Sequence, residues 1–144
     1  ELLERGKDDV RTRHFAIHFL ADCSLIRGDC AGAEERYRES LRAALELGDV
    51  IETSVEVQGV AMAKAGQGDW ARALELAASV QALWRSLGTD LHIAFWDRLL
   101  ERYLGHARAA LGTDADAVWT QGLGLAFDDA VALALQETVA DPKR

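Results

Sequence analysis

The chain of 144 residues is 49% hydrophobic and 28% charged, with a formal net charge of −8. A chain of this length can bury roughly 70% of the surface its unfolded form exposes, enough for a core without disulfides or metals. The acidic balance argues against a phosphate-gripping surface, and the apolar runs fall far short of the about 18 residues of a membrane span.

At the start, Leu2 and Leu3 precede Gly6 and read as the last turn of a preceding repeat (1–6); with Glu1 in place of an initiator Met, the expectation is a segment cut from a longer helical array. Helices are then predicted at about 9–27, 30–47, 50–66, 70–87, 91–111, 114–123 and 128–139. A single proline, Pro142, leaves the rest of the chain free of the strongest helix breaker. Gly6, Gly48 and Gly88 each close an apolar-periodic stretch. Lys7-Asp8, Asp49-Val50 and Thr89-Asp90 follow them as stop-and-restart punctuation.

Spacing is helical between these marks. Phe15, Ile17, Leu20, Cys23, Leu25 and Ile26 predict a wide apolar face on the first full helix, and Val55, Val57, Val60, Met62 and Ala63 repeat it. Gly28-Asp29 and Gly68-Asp69 stand forty residues apart, as do Gly48 and Gly88, and Ala33 and Ala73. Helix pairs with this period cannot bury both faces alone and are expected to stack as an all-α solenoid of about seven helices. The expected divisions of a single 1–144 domain are 9–48, 50–88, a divergent 91–123, and a capping helix at 127–139.

Gly28-Asp29, Ala33, Tyr37, Leu41 and the Leu47-Gly48 stop resemble the tetratricopeptide repeat, and Gly68-Asp69-Trp70 with Ala73 repeats the pattern. Ala21 and Ala61 fall where that motif takes a small residue, while Ala77 replaces the bulky residue that Tyr37 supplies. The longer unit, together with Trp119, Gly122 and Phe127-Asp128-Asp129-Ala130-Val131, resembles the C-terminal sensor region of bacterial LuxR and MalT-like ATPase transcription regulators. Ala126 departs from the Ser or Thr helix cap of that pattern and should forgo about 1 kcal/mol of capping. The resemblance implies an antiparallel helix-pair solenoid whose concave groove takes Phe15, His18 and Asp22 from one unit and Val55, Gln58 and Met62 from the next.

His14, His18 and Asp22 lie at i, i+4 and i+8, one stripe of a helix. Without a His-Glu-x-x-His motif they are expected to be packed or solvated residues rather than metal ligands. Arg98, Arg102, His106 and Arg108, interleaved with Asp97 and Glu101, are expected to form a solvated face. Trp70, Trp84, Trp96 and Trp119 are expected to contribute packing. Cys23 and Cys30 match neither a zinc pair nor a C-x-x-C motif; both are expected as buried small hydrophobes, in a reducing, cytoplasmic setting. Neither a phosphate loop nor a nucleophile elbow is present. The expectation is therefore a non-catalytic module without cofactor or metal, sensing an effector or binding a protein or peptide within a larger transcriptional regulator. Direct contact with nucleic acid or membrane is not expected. The competing expectation is a free-standing adaptor, or a homodimer formed through exposed solenoid ends.

Overall fold

The computed structural model describes residues 2–136. Regular structure in that span is entirely helical: α1 (Leu2–Ile26), α2 (Cys30–Leu47), α3 (Val50–Gly66), α4 (Trp70–Leu87), α5 (Ala94–Leu111), a 3-10 turn at Gly112–Asp114, α6 (Ala115–Leu123) and α7 (Phe127–Leu135).

The central boundaries follow from local chemistry. Gly48 (φ 70°) and Gly88 (φ 65°) close α2 and α4 in the left-handed region, where a side chain would be strained. The Asp29 carboxylate accepts from the Gly32 N–H, Asp49 from those of Ile51 and Glu52, and Asp69 from that of Arg72, capping α2, α3 and α4.

Three boundaries differ from expectation. Gly6 does not stop a helix: α1 runs through it, because one interior glycine costs only about 1 kcal/mol against alanine and its neighbours are helix formers. Thr89 and Asp90 do not start α5, which begins at Ala94 behind the uncapped Ile93; the Asp90 carboxylate is instead 2.9 Å from His92 Nε2. The last helix ends at Leu135, with Gln136 extended. The rest of its predicted run, 137–139, and Pro142 lie outside the described residues.

Packing proceeds in sequence, α1 on α2, α2 on α3 and α3 on α4. The order then changes. Neither α5 nor α6 packs mainly on the other: α6 lies on α4, α5 lies equally along α3 and α4, and α7 reaches back to α2, α3 and α4. Tyr37, Leu41, Val57, Val60, Met62, Leu74, Leu76 and Val80 form the centre of the core.

The predicted apolar face of α1 is largely outward: Phe15, Leu20, Cys23 and Ile26 are exposed, while His14, Ala21, Asp22, Ser24 and Leu25 are buried. With α2 as its main neighbour, α1 can bury only a narrow stripe. The stripe chosen brings small Ala21 and Ser24 to the contact and gives His14 Nε2, Asp22 and Ser24 side-chain partners.

Candidate functional site

Helical spacing builds the site from two stripes. His14, His18 and Asp22 stack along α1, and Glu52 and Glu56 occupy successive turns of α3. They meet inside the fold. His14 Nε2 is 3.0 Å and His18 Nδ1 2.8 Å from the same Glu56 oxygen, Oε1. His18 Nε2 lies 3.4 Å from Asp22 Oδ2. The Tyr37 hydroxyl, from α2, donates to Asp22 Oδ1 at 2.6 Å. A Cβ at Gly59 would stand 2.5 Å from the Tyr37 ring, so only glycine there leaves room for the ring.

From the opposite side α5 contributes Trp96, whose indole N–H donates to Gln58 Oε1 at 2.8 Å. The Trp96 ring lies 5.4 Å from that of His18 and 6.2 Å from that of Tyr37. Two turns further along α5, the Tyr103 hydroxyl donates to the Leu25 carbonyl at 2.7 Å. Side chains of α5 thus reach α1, although the two backbones stay apart.

The electrostatics are set by competition between burial and pairing. Burial raises the pKa of Glu56, but hydrogen bonds from His14 and His18 outweigh it and hold the carboxyl below its usual range. For His18, burial lowers the pKa, yet the hydrogen bond to Glu56 and the charges of Glu56, Asp22 and Glu52 hold it above the usual value. Burial pushes Asp22 up, only partly offset by Tyr37 and His18. Tyr37 is pushed far above its ordinary range by burial and by its bond to Asp22.

Beside this network, α1, α3 and the start of α5 enclose a cleft of about 320 Å³. Its walls are Phe19, Ile26, Val55, Leu91, Ile93, Phe95 and Trp96, with Cys23 also facing it; His18 and Asp22 provide the ionisable groups.

Of the six groove residues expected, His18, Asp22 and Val55 come together here. Phe15 does not line the cleft; it is partly exposed, with its ring 5.2 Å from that of His14. Gln58 is buried as the acceptor for Trp96. Met62 is fully buried in the core, so it cannot meet a ligand in a groove. Gln58 is covered because α5 lies against α3, whereas Phe15 stands on the outward side of α1.

Sequence reasoning missed Glu56, Tyr37 and Trp96 as parts of the site. Glu56 carried a usable signal, an acid between Val55 and Val57 in the most apolar stretch of the repeat. The expectation for Cys23 is also reversed, since it is exposed while Cys30 is buried. Trp84 and Trp96 are buried and Trp70 and Trp119 half-buried. Among the cationic residues of α5, Arg102 and His106 line one cavity beside Cys30 and Trp70, Arg102 also lying over the Tyr103 ring and His106 against Trp70, while Arg108 turns away to lie over the Trp119 ring and beside Asp116.

His14, Glu52 and Glu56 also each offer a metal-ligating atom within 4.8 Å of the others. No described helix is long and apolar enough to cross a membrane. Comparison with protein families, with curated proteins and with solved structures finds no match to this chain.

Proposed function

We propose that this chain is a non-catalytic, tetratricopeptide-like helical-repeat module that senses a small effector within a larger bacterial transcriptional regulator. The cleft between α1 and α5 carries the proposal: apolar walls with His18 and Asp22 converging on one side suit a compact ligand with an apolar body and a polar head. Its volume, about 320 Å³, is at the lower end of the roughly 300–1,000 Å³ of small-molecule sites. A small effector therefore fits better than a peptide, whose expected groove is covered by α5. Ligand binding would fix α5 against α1, and the stacked helices would carry that bias to ATPase or DNA-binding parts outside this chain.

A fragment screen by amide NMR tests the effector proposal. Ligands should shift the Trp96 indole N–H and the amides of His18, Ile26 and Val55, and should protect the Cys23 thiol from alkylation. Ile26→Trp should abolish these effects by filling the mouth from an exposed position. If no fragment moves the Trp96 indole signal, or if shifts are unaltered by Ile26→Trp, the effector proposal is wrong.

Self-association as a free-standing adaptor has its own support in the exposed Leu3, Phe15, Phe19 and Leu20 of α1. Light scattering across a concentration series separates the two: a dimer lost in Phe19→Ser favours association, and a monomer throughout removes it.

A further inference from the structure

The pairing around Glu56 is lopsided. Its Oε1 atom faces both His14 and His18, while Oε2, equally buried, has no hydrogen-bond partner. Native folds rarely leave a buried carboxylate oxygen unsatisfied. The neighbourhood is also short of positive charge. Asp22, Glu52 and Glu56 supply three carboxylates against two imidazoles, so even two protonated rings leave one negative charge unbalanced.

The donor atoms already lie close to metal-binding separations. His14 Nε2 is 3.0 Å from Glu56 Oε1 and 4.0 Å from Glu52 Oε2. Ligands at about 2.0–2.2 Å around a tetrahedral ion stand roughly 3.4 Å apart, so small side-chain adjustments separate these three residues from a coordination shell. Glu52 and Glu56 are an i, i+4 pair on α3, a spacing that aims both carboxylates the same way, and His14 meets them from α1. Glu52 is partly exposed and gives an ion a way in, while His14 and Glu56 are fully enclosed.

We propose that His14, Glu52 and Glu56 form a three-ligand binding site for a divalent first-row transition cation. Mixed imidazole and carboxylate donors select this class over the all-oxygen sites of calcium and magnesium, and three protein ligands leave a fourth position for water. A bound ion adds positive charge beside the carboxylates and clips α1 to α3, two helices whose backbones touch only lightly. The site does not rest on the effector proposal, since the ligands can hold an ion whether or not the cleft binds anything.

The full chain, stripped with a chelator, is titrated with zinc against a chromophoric competitor, and separately with cobalt to read ligand-field absorption. One zinc per chain, tetrahedral cobalt bands and a zinc-dependent rise in Tm are expected. Glu52→Gln and His14→Gln should each weaken zinc by at least about tenfold, while Glu35→Gln, on the exposed face of α2, leaves it unchanged. Circular dichroism checks the fold. Should His14→Gln unfold, the partly exposed Glu52→Gln decides alone. No stoichiometric uptake, or equal uptake by wild type and Glu52→Gln, overturns the proposal.

Discussion

At the scale of residues, the buried imidazoles and three of the acids gather around Glu56, while a second buried pair, Lys64 with Glu34, joins α2 to α3. His18 and Glu56 titrate in opposite senses from their usual values, and together they define a window of stability. The folded state holds the His18 proton more tightly than the unfolded chain does, so its contribution is full below pH 6.5 and is lost as pH rises through the raised pKa. Glu56, held low, contributes fully above pH 4.5 and loses that contribution as pH falls through its lowered pKa. Asp22, pushed up by burial, adds a loss of its own that sets in as pH rises above 3.8, because its charged form is the disfavoured one. Chelator-treated protein should therefore be most stable between about pH 4.5 and 6.5, and His18→Gln should flatten the decline above that range. Urea midpoints measured across the pH range check this. The i, i+4, i+8 stripe itself was legible in the sequence. Its burial was not, because the partners that make burial tolerable stand on α2 and α3, some fifteen to forty residues away.

At the scale of elements, local signals worked where a terminus has its own chemistry. The Gly-Asp steps after α1 and α3 and the Gly48 and Gly88 ends act through atoms within a few residues, and the structure reproduces them. Signals failed where a neighbour decides. Nothing at Gly6 forces the left-handed conformation, so the helix continues. The face of α1 was misjudged for a related reason: apolar periodicity says which stripe would like to be buried, and only the packing partner says which stripe is. The start of α7 offers a direct check. Ala126 occupies the cap position with no side-chain hydrogen bond, and Asp128 and Asp129 in the first turn compensate only through the helix dipole. Ala126→Ser should stabilise the protein by about 1 kcal/mol, read from denaturant unfolding.

For the molecule as a whole, burial is concentrated in α3, which is enclosed on most sides by α2, α4 and α5. The N-terminal turns of α1 are exposed nearly all round. Amide hydrogen exchange should accordingly be slowest in α3 and fastest in residues 3–13, with α1 protected only from His14 onward. Uniform protection along α1 would mean that another surface covers it in solution. Such an arrangement also explains why the cleft lies where it does: α1 is free on one side, α5 is tied to it only by long side chains, and the gap between them is the space those side chains do not fill.

Composition and period by themselves determined an all-helical chain, the central helix boundaries and the polar stripe on α1, since each depends on atoms close in sequence. Tertiary structure alone decided that the stripe is buried, that Glu56 joins its imidazoles, and that α5 covers the inner face of α3. These outcomes turn on which helix meets which, a matter of desolvation and hydrogen-bond complementarity between distant segments that no single stretch of sequence contains.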